Sequence, residues 1–384
     1  MKILMTSETF LPMVGGAEIH LVNLIKNLTV QGAEVILFTN ESGKSEFDQE
    51  YNIIRKAWSK KSSWAIFKIL WKEAKKVDLI HSHYSYRLAL IAGVVAFLQR
   101  KPFFITLHGM GILPRPHSKL IYRIVDNVYR FFSLSLANKV ISTSDDLAQI
   151  AFKYINKNKV KIISNGVDLS VFNGKVTVSD DLLDRYKGRS IIMTVRRLVE
   201  KNGIHFLVEA MPYIIKQIPN IKYVIVGDGR MREFLQKRIN DLGINNYIDL
   251  VGMIDNQMVP QYLKIADVVV FPSTAESSSL ACAEAMAMGN AMVVASNVGG
   301  LVELLGKDQS RGKLVKLVDW QGSNYNAPLE LFKDRYIDLA NVIVNCIDQK
   351  DYNIINAAQK YAKTRLSWKV ITKKIIEVYK QFLK

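Results

Sequence analysis

Short apolar runs alternate with amphipathic stretches from the first residues onward. Lys2 to Thr6 reads as a strand, and the turn Pro12-Met13-Val14-Gly15-Gly16 leads into a helix carrying Ile19, Val22, Leu24, Ile25 and Leu28. Gln31-Gly32 closes that helix before a second strand, Glu34 to Thr39, completing a βαβ unit. Further strands are predicted at Val77 to His81, Phe103 to Leu107, Val140 to Ser142 and Val160 to Ile163. The pattern restarts at Ser190 to Val195 and continues through Lys222 to Val226, Ile248 to Val251, Val268 to Phe271 and Ala291 to Ala295. Such alternation implies parallel sheets flanked by helices.

The expected fold class is α/β, with two Rossmann-like domains whose parallel sheets face a central cleft. Asn165-Gly166-Val167-Asp168 reads as a turn leaving the first domain, and the polar, charged stretch Phe172 to Lys187 as the linker. The domains are accordingly expected at 1–175 and 176–363, with a C-terminal helix, 364–384, returning to the first domain. At 384 residues and 49% hydrophobic content the chain is long enough for two cores. Its longest uncharged apolar stretch, Leu88 to Leu98, is too short to span a bilayer and reads as a buried helix. Met1-Lys2-Ile3-Leu4-Met5 runs into polar Thr6-Ser7-Glu8 without the apolar core of a signal peptide, so a cytoplasmic location is expected. The two cysteines, Cys282 and Cys346, lack neighbours at metal-ligand spacing and read as buried apolar residues.

Candidate chemistry concentrates between Phe271 and Gly289. A buried strand ends at Pro272, a polar loop follows, and a helix of small residues begins near Ser279 or Leu280. The crevice beyond the carboxyl end of a strand is where open α/β sheets bind ligands, and a helix N-terminus suits a phosphate. Glu276 in the loop and Glu284 one turn into the helix place two carboxylates there; the same spacing also fits a helix N-terminal charge and a solvated helix residue. These glutamates, with seven residues between them, after Pro-Ser and before Ala-Met-Ala-x-Gly, resemble the signature of retaining glycosyltransferase family 4. Gly15-Gly16-Ala17-Glu18, His81-Ser82-His83, Thr106-Leu107-His108-Gly109, Ser164-Asn165-Gly166-Val167-Asp168, Arg197-Leu198-Val199, Gly227-Asp228-Gly229 and Ser367-Trp368 follow that family's pattern in order.

The resemblance implies a GT-B architecture, an acceptor-binding first domain and a nucleotide-sugar-binding second domain. It implies that Glu284 binds the ribose hydroxyls of the donor, that Glu276 contacts the donor sugar, and that Ser278, Ser279 and Leu280 lie against sugar or phosphate. Arg197 and Lys201 would hold the departing diphosphate. The family's lysine stands five residues after its arginine, where this chain has Asn202, so Arg196, five before Lys201, stays open as the partner. Gly15 and Gly16 would let backbone approach the donor phosphate, and His108 would sit beside the reacting sugar. Ser277-Ser278-Ser279 replaces the family's usual glycines and aromatic, leaving the donor sugar open. His81 and His83 share a strand face but no third ligand is evident, so both read as structural and no metal or other cofactor is expected.

A net charge of +17 makes an anionic partner expected without choosing among nucleic acid, membrane and polyphosphate. From Arg55 to Lys76 there are eight Lys or Arg against one acidic residue, Glu73, and three of the five tryptophans, Trp58, Trp64 and Trp71. Trp64, Phe67 and Trp71 align on one helix face with Lys61, Lys68, Lys72 and Lys75 beside it. That composition fits an interfacial helix drawn to anionic lipid, and equally a sheet-packed helix with a solvated basic side. A second stretch mixes Arg115, Lys119, Arg123 and Arg130 with Leu120, Tyr122, Tyr129 and Phe131. Groove-reading helices and RNA-binding strand motifs are missing, so nucleic acid is not the expected partner. The expected activity is transfer of a hexose-type sugar from a UDP- or GDP-sugar to a lipid or lipid-linked acceptor at the inner membrane face. A soluble polysaccharide or small-molecule acceptor is the alternative, and a sugar-nucleotide epimerase or a nucleic-acid-binding protein stands behind it.

Overall fold

The computed structural model describes residues 1–13, 15–59, 62–109, 120–319 and 332–383. The chain divides into two compact units, Met1–Gly166 with Trp368–Lys384, and Val167–Ser367. In the first, β1 (Lys2–Ser7), β2 (Glu34–Thr39), β3 (Asn52–Arg55), β4 (Leu79–His83), β5 (Phe103–Leu107), β6 (Lys139–Ser142) and β7 (Val160–Ile162) form one sheet ordered β3-β2-β1-β4-β5-β6-β7. Every pairing is parallel. Strand order reverses direction at the β1/β4 boundary, the switch point where such sheets open a crevice.

The second unit repeats the plan with β8 (Ser190–Val195), β9 (Ile221–Val226), β10 (Ile248–Gly252), β11 (Val268–Phe271), β12 (Met292–Ser296) and β13 (Lys313–Val315), ordered β10-β9-β8-β11-β12-β13. Its switch point lies between β8 and β11, again with parallel pairing throughout. Parallel sheets must be covered on both faces, which explains why the central strands are continuous apolar runs. β11, Val268–Phe271, is buried at every position.

The predicted strands are present with small shifts, and two are added. β3 and β13 are edge strands with mostly half-exposed residues, so neither shows the apolar run by which the others are legible. β4 runs from Leu79 to His83, two residues later than expected, so His83 as well as His81 lies in the strand, and the Asp78 amide just before it donates to the Lys2 carbonyl of neighbouring β1. The division between units falls at 166/167 rather than 175/176. Phe172 to Lys187 is not a linker: Phe172, Leu182 and Tyr186 are buried in the second unit's core, and the polar residues around them are its outer surface. The Val167 amide donates to the Leu366 carbonyl at 2.7 Å, tying the two ends of the second unit together.

Ser367 is the last residue of that unit, and the C-terminal helix Trp368–Lys380 belongs to the first. It buries Trp368, Ile371, Ile375, Val378 and Tyr379 with Leu21, Leu24, Ile25 and Leu28 of helix Gly16–Val30 and with the sheet. The helix Arg87–Leu98 buries Leu88, Ala89, Ala92, Val95 and Ala96 but leaves Val94, Phe97 and Leu98 exposed, so the expected buried helix is buried on one side only. Among the described residues no helix is long and apolar enough to cross a membrane.

Trp368 is 4% exposed and stacks edge-on to His20 at 5.1 Å. Its truncation to alanine leaves a cavity too large to close, and Trp368→Ala is expected to destabilise the first unit by about 3–5 kcal/mol, measured as a lowered midpoint in guanidinium unfolding.

Candidate functional site

In the second unit, the chain leaving β8 stays extended for three more residues. The Arg196 amide donates to the Val226 carbonyl and the Leu198 amide to the Asp228 carbonyl, both at 2.9 Å, continuing the ladder with β9 past its last assigned residue. Side chains in extended chain alternate faces, so Arg196 and Leu198 turn inward and Arg197 outward. Leu198 is fully buried, the Arg196 side chain is 12% exposed, and Arg197 is exposed. Gly227 has φ +133° and packs against the Arg196 carbonyl, where any Cβ would overlap it; Gly203, at φ +63°, packs likewise against the carbonyl of Pro272.

The Arg196 guanidinium donates to Ser273 Oγ at 2.7 Å and pairs with the Glu276 carboxylate, whose side chain is 7% exposed. It also lies over the Phe271 ring, 5.6 Å from the centroid. Arg196, held in reserve in the sequence, is therefore the arginine that meets Glu276, and Arg197 makes no such pair. Asn202, which stands where the family has its lysine, is buried, and its amide donates to the Arg197 carbonyl at 2.7 Å. Lys201, one residue earlier, is reached by solvent, while crowding by protein atoms lowers its ammonium pKa. The nearby Glu276 charge opposes that shift, and Arg196 and Arg197 add to it. Arg196 and Lys201 thus lie near the Glu276 carboxylate and Arg197 near Lys201, so cations outnumber the carboxylate here.

Helix Leu280–Met288 begins one step beyond this cluster. Ser279 is its N-cap, accepting from the Cys282 amide, while the amides of Leu280 and Ala281 have no acceptor within the helix. The Gly300 amide donates to the Glu276 carbonyl at 2.9 Å and pins the loop carrying Ser277 and Ser278. Glu284, one turn in, is half-buried, and among the described residues its carboxylate has no hydrogen-bond or ion-pair partner. Burial pushes its pKa up to about 7, so near neutral pH it lacks what would hold it ionised. Cys282 and Cys346 are buried free thiols.

The first unit carries the remaining predicted residues. Gly15 is the N-cap and Gly16 the first residue of helix Gly16–Val30; Val14 between the predicted turn and the helix lies outside the described residues. His108 follows β5 and is 6% exposed, with its Nε2 sharing a hydrogen bond with His83 Nδ1 at 3.1 Å. Sequence reasoning found no third histidine beside His81 and His83, because the others come from separate elements: His20 from the first helix and His108 from beyond β5. His81 bonds Tyr379 Oη at 2.6 Å and Thr106 Oγ1 at 2.8 Å, a structural role. Burial lowers all four imidazole pKa values, His20 to about 4 and His81 to about 3, so they are neutral at physiological pH.

The aromatic face combines both sequence readings. Helix Ser63–Ala74 packs Ile66, Leu70 and Ala74 inward, while Trp64, Phe67 and Trp71 stack in a ladder at 5.2 and 5.7 Å on its outer side. With Lys68 and Leu98 they line a groove of about 340 Å³, and Trp64 is 63% exposed. Helix Leu120–Leu136 exposes Tyr122, Ile124, Val125, Val128, Phe131 and Phe132. Of the basic residues read from the sequence, Lys68, Lys72, Lys75 and Arg123 are exposed, Arg130 is buried and donates to Asn127 Oδ1 and Tyr154 Oη, and Arg55 is bound to Asp48; Lys61, Arg115 and Lys119 lie outside the described residues.

Removing Arg196 strands a buried carboxylate, whereas Arg197 touches little. Arg196→Ala is expected to cost about 3–5 kcal/mol and Arg197→Ala within about 0.5 kcal/mol, compared by denaturant unfolding.

Residues 14–171 match the family described as Glycosyltransferase Family 4, and residues 180–324 match Glycosyl transferases group 1. The chain is 27% identical to the alpha-monoglucosyldiacylglycerol synthase of Acholeplasma laidlawii over 77% of its length and 80% of that protein's. It is 29% identical to the UDP-Gal:alpha-D-GlcNAc-diphosphoundecaprenol alpha-1,3-galactosyltransferase of Escherichia coli over 78% of this chain and 77% of that one. Anabaena HepE, solved in complex with UDP, superimposes with a TM-score of 0.81 at 23% identity, covering 99% of this chain and 100% of its own. With its two parallel-sheet units and these family matches across both of them, the chain is a glycosyltransferase of the family 4 type with the GT-B fold.

Proposed function

We propose that the protein transfers a hexose-type sugar, with retention of anomeric configuration, from a UDP- or GDP-sugar to a lipid or lipid-linked acceptor at the cytoplasmic face of a membrane. The observation that carries the donor half is the second unit's charge arrangement. An excess of cations at Arg196, Arg197 and Lys201 lies beside a helix N-terminus, and one turn on stands Glu284, a carboxylate without a protein partner. Phosphates need the first and ribose hydroxyls, as donors to a carboxylate, need the second.

In this reading the bond from the sugar's anomeric carbon to the diphosphate oxygen breaks while the acceptor oxygen attacks the same face. The acceptor's proton passes to the departing phosphate oxygen, so no protein base is required. Arg197 and Lys201 stabilise the charge that accumulates on the diphosphate, a fixed electrostatic arrangement that gains strength as the charge grows. Arg196 acts differently from its expected part: it holds Glu276 in place to meet the sugar hydroxyls. Ser278, Ser279 and the Leu280 amide line the phosphate side, while Gly15, Gly16 and neutral His108 keep the roles that the family resemblance implies, backbone approach to the donor phosphate and donation to a hydroxyl of the reacting sugar. In this reading transfer needs no bound metal, because Arg197 and Lys201 supply positive charge and hydrogen bonds to the departing diphosphate.

The acceptor half rests on exposed Trp64, with half-buried Phe67 and Trp71 stacked beside it, and on the apolar side of helix Leu120–Leu136, with Lys68 and Lys72 beside the first. Exposed apolar groups of this extent fit a lipid surface, and the two relatives named for a glycolipid and a diphosphoundecaprenol substrate support it.

Glu284→Ala is expected to weaken donor binding by about 1.5–3 kcal/mol, the scale of losing a charged acceptor, read by calorimetry with UDP, GDP and their sugars. Unchanged affinity for all of them removes Glu284 from the ribose. Replacing Trp64, Phe67 and Trp71 together by serine is expected to lower co-sedimentation with anionic vesicles more than turnover on a short soluble acceptor. Equal losses mean that the ladder is needed for folding, and no vesicle binding by the unaltered protein favours a soluble acceptor.

A further inference from the structure

Three histidines from different elements of the first unit converge: His20 from helix Gly16–Val30, His83 at the end of β4 and His108 just after β5. One ring nitrogen of each lies within 4.8 Å of the others, and the rings are 2%, 3% and 6% exposed. Ring centroids are 4.8 Å apart for His20 and His108 and 5.4 Å for His83 and His108. Packing alone leaves two atoms unexplained. Among the described residues, Nε2 of His20 and Nε2 of His83 are both buried without a hydrogen-bond partner. Each such orphan costs about 1–3 kcal/mol relative to a satisfied group, so a cluster holding two of them calls for a ligand that supplies the missing bonds.

The hydrogen bonds already made point the free nitrogens. His20 Nδ1–H donates to Asn165 Oδ1 at 2.8 Å, which leaves its Nε2 with a lone pair and fixes the ring plane. A carbonyl oxygen behind the distal N–H is the usual support of a metal-bound imidazole. We propose that His20, His83 and His108 form a binding site within the first unit for one borderline divalent cation of the Zn²⁺ class. Three neutral imidazoles and no carboxylate select such an ion over Mg²⁺ or Ca²⁺, which need oxygen ligands. Ligation draws the nitrogens in to about 3.4 Å from one another, the separation set by metal–nitrogen bonds of about 2.0–2.1 Å in tetrahedral geometry. The fourth position stays open to water. Because His108 is then committed to the ion, occupancy inhibits sugar transfer; this consequence rests on the role given to His108 above, whereas the site itself does not.

The test is titration of the chelator-treated full-length protein with Co²⁺, followed by its visible absorption, with Zn²⁺ as competitor. One equivalent of Co²⁺ with the intense spectrum of a four-coordinate ion, displaced by Zn²⁺ and unaffected by excess Mg²⁺, is the expected result. His20→Gln and His83→Gln are expected to weaken binding by at least about a hundredfold and Asn165→Ala by about tenfold. His205→Gln, in the other unit, is expected to leave the spectrum unchanged. Circular dichroism identifies any variant that fails to fold, and the titration of the unaltered protein decides the matter by itself: no saturable spectrum overturns the site. A spectrum that survives in folded His20→Gln and His83→Gln overturns it too. A cobalt spectrum without loss of transfer activity overturns the inhibitory consequence alone.

Discussion

The second unit's chemistry depends on a backbone that has no slack. The chain after β8 is held on one side by hydrogen bonds to Val226 and Asp228, and Gly227 allows the two segments to approach closely enough to make them. On the other side the Thr274 amide donates to the Lys201 carbonyl at 2.8 Å, and Gly203 lies against Pro272. With the strand phase set on both sides, the side chain at 196 has one direction available, toward Ser273 and Glu276. The Arg196–Glu276 pair is therefore a consequence of register. A pair so little exposed is costly to desolvate and adds little net stability; what it contributes is a carboxylate in one place.

The first unit solves a different problem, how to keep several imidazoles neutral inside a protein. Burial alone disfavours the charged form, and each imidazole raises the penalty for its neighbours. His81 is satisfied from both sides, by Thr106 of the adjacent strand and by Tyr379, 298 residues further along the chain. Tyr379 and Trp368 arrive on the helix that follows the entire second unit, so the histidine cluster is walled only when the C-terminus has returned. Local sequence cannot show such a wall, and its closure couples the order of the first sheet to the last helix.

The architecture was legible because it rests on period and run length. Central parallel strands such as Val268–Phe271 must be apolar at every position, and the glycine turns between strand and helix mark their ends. Edge strands β3 and β13 were not, since a half-exposed edge lacks that signature. The linker was misplaced for the related reason that Phe172, Leu182 and Tyr186 are apolar residues isolated among charges, and only their neighbours in space show them to be core. At the site, Glu276, Ser279 and Glu284 were found through the ordered motifs, yet the choice between Arg196 and Arg197 was not decidable. β8 is apolar on both faces, so no alternation carried the phase forward to the two arginines. The buried Asn202 was the available signal, because an amide replacing a lysine at the family's position already implied that the loop was differently set.

The net charge of +17 has no single destination. Part of it lies in the second unit at Arg197 and Lys201, next to a phosphate-sized helix terminus, where it acts at short range. Part is neutralised within the structure, as at Arg55 with Asp48 and Arg238 with Glu209. Near the aromatic ladder Lys68, Lys72 and Lys75 are exposed beside an apolar surface that includes Trp64, so the proposed contact with a lipid surface would draw on burial of Trp64 and the exposed side of helix Leu120–Leu136 as well as on charge. Burying apolar side chains contributes about 25 cal/mol per Å² and is insensitive to salt, whereas a pair of exposed lysines is screened within about a Debye length. In the proposed lipid contact the basic side chains would therefore steer the encounter, and burial of the apolar face would hold it.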